Sequence, residues 1–325
     1  MSPALDWHRC YRGRRVVVLG AGGYIGRRLA ARLTAGGAEV IRVVRPGGTP
    51  SLMTGPEGGR TLEVELSLPG EATTLLRTQQ PAITFNMAGY GVSPAQRDAD
   101  LSQRINADLP AELCLGCGAA APADGWPGLR LVHAGSALEY GVAPGDLEES
   151  TPPLPTTLYG RTKLAGTLAV AEAVQAGRLR GVTARLFTVY GPGESAGRLL
   201  PSLLAAAGRA EPIPLTAGTQ WRDFTFLDDV TEGLLRLGAL VEGPPATVNL
   251  ATGVLTSVRE FATRAAAVIG LAPDQLHFGA LPTRPEEMAH DPVNVARLAA
   301  ATGWTPSTTI EAGVSQVVRE SGSKS

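Results

Sequence analysis

A glycine-rich turn set between an apolar run and an amphipathic stretch constrains this chain more than any other feature. Val16–Leu19 is uninterrupted apolar sequence, as a strand covered on both faces requires. Gly20-Ala-Gly-Gly-Tyr-Ile-Gly26 follows, and Ile25, Leu29 and Leu33 then recur at four-residue spacing until Gly36-Gly37 stops the helix. Gly20, Gly23 and Gly26 have the spacing G-x-x-G-x-x-G. Glycine at these points permits the tight turn, the close approach of backbone to a pyrophosphate, and close helix–strand packing. The helix start, at Tyr24, Ile25 and Gly26, leaves free amides for phosphate oxygens. A glycine trio alone is weak; placed on a strand–turn–helix it predicts a dinucleotide site.

The rest of the first half repeats the rhythm. Apolar runs at Val40–Val44, Leu62–Leu66, Ile83–Phe85, Leu129–Ala134 and Val182–Phe187 alternate with helix-length stretches at about Gln96–Cys117 and Leu158–Ala176. That order predicts an α/β, Rossmann-like doubly wound parallel sheet with helices on both faces. After Tyr190-Gly-Pro the prolines crowd and the rhythm breaks, which predicts a smaller C-terminal substrate-binding lobe over 191–325. Residues 1–190 make the dinucleotide-binding domain, with a strand at Thr247–Leu250 returning to it.

Composition narrows the partners. Lys and Arg total 29 against 30 Asp and Glu, so no global field recruits nucleic acid or a membrane surface. No apolar run approaches the roughly 18 residues of a spanning helix, and the first 15 residues do not read as a signal peptide. Three cysteines are too few for a disulfide framework, which points to the cytoplasm. Cys114-Leu-Gly-Cys117 lies in a helical stretch without a second ligand pair, and the four histidines are scattered; this reads as packing, with no metal site. His133, on an apolar strand, reads as a core histidine.

Cofactor choice turns on the end of the second strand. An NAD enzyme usually carries an acidic residue there for the ribose hydroxyls. This chain has Arg45, in Val43-Val44-Arg45-Pro46-Gly47-Gly48. A guanidinium pairs with a 2′-phosphate, so NADP(H) is favoured, with Thr49 or Ser51 assisting; Arg45 stacked on adenine would leave NAD(H) open. Asn86-Met87-Ala88-Gly89, at the end of the fourth strand, is placed to line the same cofactor.

Tyr159-Gly-Arg-Thr-Lys163 sets a phenol and an ammonium four residues apart, on one helix face. Tyrosine titrates near pH ~10, and a neighbouring lysine favours its phenolate. Lys163 can also hold the nicotinamide ribose. Ser136, just past the fifth strand, can hydrogen-bond a reacting carbonyl or alkoxide.

These elements together resemble the extended short-chain dehydrogenases/reductases, the NAD-dependent epimerase/dehydratase group, over nearly the whole chain. The resemblance rests on the glycine turn, Ser136 with Glu139-Tyr140-Gly141, Tyr159 and Lys163, and Arg185-Leu-Phe-Thr-Val-Tyr-Gly-Pro192. It continues through Gln220-Trp-Arg-Asp-Phe-Thr-Phe-Leu-Asp-Asp229, Val248-Asn-Leu-Ala-Thr-Gly253, Arg284-Pro-Glu286 and Gly303-Trp-Thr-Pro306. It implies a nucleoside-diphosphate sugar as substrate, Arg222 and Arg284 facing the diphosphate, and a homodimer through the helices near Gln96–Cys117 and Leu158–Ala176. Thr188 stands where many relatives have an asparagine that meets the substrate.

The reaction is less constrained. Relatives that dehydrate at C4 and C6 carry an Asp-Glu pair after the serine or threonine; here those positions are Ala137 and Leu138, so dehydration lacks its acid and base. Glu139, one residue on, reads as structural, directed elsewhere by strand-like alternation. A 4-ketoreductase of a keto-deoxysugar, with Tyr159 protonating the new alkoxide, leads. A 4-epimerase with tightly bound NAD is the alternative, and a non-catalytic dinucleotide sensor a distant third.

Overall fold

A computed structural model of the chain describes residues 7–47, 59–91, 96–118, 125–143, 145–282 and 291–322. The first half runs α1 (Trp7–Cys10), β1 (Arg15–Leu19), α2 (Tyr24–Ala35), β2 (Glu39–Val44), β3 (Gly59–Glu63), α3 (Glu71–Gln79), β4 (Ile83–Asn86), α4 (Ala99–Gln103), α5 (Leu109–Gly118), β5 (Leu131–Ser136), α6 (Leu158–Gln175) and β6 (Gly181–Leu186). The second runs β7 (Thr188–Tyr190), α7 (Leu199–Ala205), β8 (Ile213–Leu215), β9 (Trp221–Phe226), α8 (Leu227–Gly238), β10 (Thr247–Leu250), β11 (Leu255–Ser257), α9 (Val258–Ile269), β12 (Leu276–Phe278), α10 (Ala296–Thr302) and α11 (Ile310–Gly322).

Seven strands form one parallel sheet in the order β3-β2-β1-β4-β5-β6-β10. The central strands are buried on both faces, which is why they read as continuous apolar runs. Growth of the sheet reverses between β1 and β4, and in sheets of this kind ligands bind at the carboxyl ends of the strands at such a point. On one face α2 and α8 pack through Leu29, Leu33, Val230 and Leu234. On the other, α3, α5 and α6 pack through Leu75, Leu113 and Val170.

A separate core gathers Tyr190, Leu203, Phe224, Phe261 and Val314, with Phe224 and Phe261 stacked at 4.1 Å. Its scaffold is a three-stranded sheet, β11-β9-β7. The chain does not stay in this lobe after Tyr190. α8, β10 and Leu298 of α10 return to the large sheet's core, so apolar burial, not chain order, sorts residues between the two.

Two elements differ from expectation. The run at Leu62–Leu66 pairs three residues earlier, as β3, because Gly59–Glu63 is the stretch in register with Val40–Val44; Leu66 instead drops into the core beneath the edge. The helix expected over Gln96–Cys117 begins at Ala99, capped by the Asp98 side chain, and is interrupted by a π-helical turn at Arg104–Asp108. Among the described residues no helix is long and apolar enough to cross a membrane.

Candidate active site

The glycine turn lies at the carboxyl end of β1. Gly20 has φ +70°, and a Cβ there would lie 2.8 Å from the Ala88 nitrogen. A Cβ on Gly26 would strike the Gly20 carbonyl. So the end of β1, the start of α2 and the segment after β4 approach as closely as backbone allows. Helix α2 has no side-chain cap and no acidic residue in its first turn, leaving its first amides and positive dipole end open to an anion. This cradle fits a dinucleotide diphosphate. Ile25 packs on the core, while the Tyr24 hydroxyl is buried with no hydrogen-bond partner among the described residues. Ala88 donates its amide to the Asn86 side chain at 3.2 Å. Arg45 is exposed at the carboxyl end of β2; Thr49 and Ser51 lie outside the described residues.

Ser136, Tyr159 and Lys163 come together at the carboxyl end of β5. Ser136 is the strand's last residue, not the one after it, and its side chain hydrogen-bonds the Tyr159 phenol. Helix α6 starts beside it, capped by Thr157, whose Oγ1 accepts the Gly160 amide at 3.0 Å. A Cβ on Gly160 would strike the Leu138 carbonyl, so glycine next to Tyr159 lets the helix press against the turn that follows Ser136. Lys163, one turn on, is 2% exposed.

The electrostatics depart from the simplest expectation. Burial, then the Glu139 carboxylate, raise the Tyr159 phenol above its ordinary value, against the Ser136 hydrogen bond. The protein alone therefore holds Tyr159 as a protonated acid. Burial lowers Lys163 to about 8, opposed by Glu139. Only two of the 29 basic residues are lysines, Lys163 and Lys324. An arginine could not serve at 163 by titration, since its proton is not lost in proteins.

The lysine has a stability consequence. Folded Lys163 gives up its proton near pH 8, whereas an ordinary lysine keeps it to 10.5. Between these values the unfolded chain binds the extra proton, so this contribution to stability rises with pH. Lys163→Met should therefore raise the urea midpoint most at neutral pH, with the gain shrinking as pH climbs through that window.

Glu139 does not follow strand alternation. It ends a single 3₁₀ turn, Ala137–Glu139, and folds back under Ser136. Its carboxylate accepts the Ser136 amide at 2.8 Å, Thr167 Oγ1 at 3.0 Å and Arg185 Nε at 2.8 Å. The 3₁₀ turn reverses the side-chain direction that a continued strand would give. Asn106, inside the π turn, is a further site residue that spacing and motif do not single out. It joins the Tyr90 backbone to Thr162, donating at 2.7 Å and 3.1 Å; among the polar neighbours Gln103, Arg104 and Asp108 nothing in the sequence marks it out.

On the substrate side, β7 carrying Thr188 pairs in parallel with β9 carrying Arg222. Both side chains are half-buried. Asp228 is held by Arg28, at 2.7 Å for one of the two bonds, while Asp223 accepts from Thr225, Thr252 and the Gly253 amide. Arg284 lies outside the described residues. Gln220, 7% exposed, has neither amide atom paired among the described residues; the sequence offers no sign of it beyond its place two residues before Arg222. Cys114 and Cys117 pack in the core with thiols pushed up by burial, to about 12 and about 11. His133 is a core residue, held neutral by burial and then by the Lys163 charge. Asn86 bonds its Nδ1 at 3.1 Å, and its Nε2 has no partner among the described residues.

The model of the NAD dependent epimerase/dehydratase family matches residues 16–251, spanning the glycine turn, Ser136, Tyr159, Lys163 and Arg222. The chain belongs to that family. Its members are enzymes, and this NAD(P)-dependent member is similar to dTDP-6-deoxy-L-talose 4-dehydrogenase (NAD(P)(+)) of Kitasatospora kifunensis, 35% identical over 321 residues that cover 93% of this chain and 94% of that protein. It is 28% identical to UDP-glucose 4-epimerase of Mycolicibacterium smegmatis over 94% of this chain and 97% of that one. Among solved structures, MoeE5 in complex with UDP-glucuronic acid and NAD has a TM-score of 0.79 at 28% identity, covering 96% of this chain and all of that one.

Proposed function

We propose that this enzyme reduces the keto group of a nucleotide-activated 4-keto deoxysugar, drawing on NADPH in preference to NADH. The observation that carries the reading is the near full-length likeness to a dTDP-6-deoxy-L-talose 4-dehydrogenase, whose named chemistry is oxidation–reduction at C4. Bound at the glycine turn, the nicotinamide dinucleotide supplies the hydride. Ser136 hydrogen-bonds the sugar carbonyl, Tyr159 delivers its phenolic proton to the oxygen as the C–O double bond becomes single, and Lys163 orients the ribose and stabilises the phenolate left behind. A protonated Tyr159 is the form that reduction consumes. Gly20, Gly23, Gly26, Tyr24, Ile25 and Ala88 line the dinucleotide. The smaller lobe built on β7, β9 and β11 supplies the sugar-nucleotide side, with Thr188 on β7 and with Arg222 and Arg284 on the diphosphate.

Purified enzyme should oxidise NADPH when given a dTDP-4-keto-6-deoxysugar and should release no firmly held nucleotide on heat denaturation. Retained NAD⁺ that survives dialysis, with interconversion of C4 epimers, would make the enzyme an epimerase instead, the reading that the likeness to UDP-glucose 4-epimerase favours. Arg45→Asp should cut the preference for NADPH over NADH by about tenfold or more, the worth of one charge-assisted phosphate contact; an unchanged ratio of kcat/KM values would remove Arg45 from 2′-phosphate recognition. The enzyme works in the cytoplasm, where its three free thiols suit a reducing medium. It forms a homodimer through the outer faces of α5 and α6, which expose Leu115 (72%) and Leu168 (56%). Sedimentation should give twice the chain mass.

A further inference from the structure

One buried carboxylate joins three pieces of this site. Glu139 is fully buried. Its Oε1 accepts the Ser136 amide, at the end of β5, and the hydroxyl of Thr167 on α6; its Oε2 accepts Arg185 Nε on β6. Thr167 lies one turn beyond Lys163 and two beyond Tyr159, so all three share a helix face. The tie from Glu139 therefore sets the Ser136 end of the strand against the face that carries the phenol and the ammonium. Arg185 is itself fixed, its guanidinium 4.4 Å from the Tyr140 ring centre, and Tyr140 donates to Asn249 at 2.7 Å.

The charges facing Lys163 make the carboxylate more than a brace. His133 on β5 is neutral, Tyr159 on its own helix is a neutral phenol, and Arg185 on β6 is engaged with Glu139. Glu139 is the negative group in this set. A buried ion pair adds little net stability over well-packed apolar side chains, so packing alone gives no reason for a charge here.

We propose that Glu139 is a positioning residue for proton transfer, holding Ser136 against the Tyr159/Lys163 face of α6. The inference rests on the reading of Tyr159 and Lys163 given above. Because the chain has two lysines, Lys324→Arg leaves Lys163 alone, and its side-chain nitrogen can be titrated by NMR in lysine-labelled protein without any substrate. In Glu139→Gln the Lys163 titration should fall by about one pH unit. The alkaline limb of ketone reduction should move to lower pH with it, leaving turnover at the acid end closer to that of the parent. Glu139→Gln strands the Arg185 charge and can unfold the protein, so Glu139→Gln/Arg185→Met, which removes both charges, is the second variant; losing the like charge of Arg185 offsets part of the effect, so its displacement should run the same way and be smaller. A Lys163 titration within about 0.2 units of the parent, or a loss of kcat equal at every pH, overturns the proposal. So does failure of the doubly neutral variant to fold, which assigns the pair to stability. If the parent enzyme reduces no 4-keto nucleotide sugar, the proposed reaction falls, and the lysine titration still decides the role of Glu139.

Discussion

Tyr159→Phe is expected to lower kcat for ketone reduction by about 10²–10⁴-fold, the usual worth of a general acid–base group, while leaving dinucleotide affinity within a few-fold. The phenolic hydroxyl is the only part removed. The ring stays, so the packing of α6 against the Ala137–Glu139 turn is kept, and Ser136 loses one hydrogen-bond partner. Because burial and Glu139 hold the phenol protonated, the lost group is the proton source itself. Water could replace it only by reaching the phenol's place beside Lys163, which is itself 2% exposed. Single-turnover rates separate chemistry from product release, and the deficit should appear in the hydride-transfer step. Turnover equal to that of the parent would remove Tyr159 from the chemistry and leave a dinucleotide-binding protein whose reaction lies elsewhere.

Gly26→Ala should damage both stability and cofactor binding through a single added methyl group. The added Cβ would meet the Gly20 carbonyl carbon and oxygen, and neither is a side chain that can swing away. Gly20 is itself pinned, with φ +70° and the Met87–Ala88 backbone behind it. The turn must open or α2 must back off from β1. Overpacking of this kind costs about 1–3 kcal/mol of stability. The same displacement pulls the first amides of α2 from the phosphates, so dinucleotide affinity should fall about tenfold or more, tenfold being about 1.4 kcal/mol. Thermal melts with and without NADPH check both halves: a lower melting temperature and a smaller upward shift on adding cofactor. A variant that melts and binds like the parent would mean that the turn relaxes without cost.

Several features of this enzyme are legible in short stretches of its sequence. The Val16–Leu19 run, the glycine spacing and the four-residue recurrence of Ile25, Leu29 and Leu33 each report a local requirement: burial on two faces, close backbone approach, one apolar helix stripe. Local requirements are written in adjacent residues, so β1, α2 and β2 fall where the sequence puts them. Tyr159 and Lys163 are equally legible, because a four-residue interval on a helix fixes a shared face. The missing Asp-Glu pair at Ala137 and Leu138 is a plain matter of identity.

What depends on distant partners is not legible in the same way. β3 takes its register from β2, with the edge pairing at Gly59–Glu63 overriding the apolar run three residues later. The path of Glu139 is decided by Thr167 and Arg185, 28 and 46 residues away, which pull the chain into a 3₁₀ turn where alternation implies a continuing strand. The titration of Tyr159 likewise reflects burial and Glu139 rather than its spacing from Lys163. The sequence by itself determined the fold class, the glycine turn and the shared helix face of Tyr159 and Lys163, since each of those follows from near neighbours and the periods of helix and strand. The tertiary structure alone decided the protonation state of that site and the buried network behind it, because desolvation and long-range hydrogen bonds exist only once the chain has closed around them.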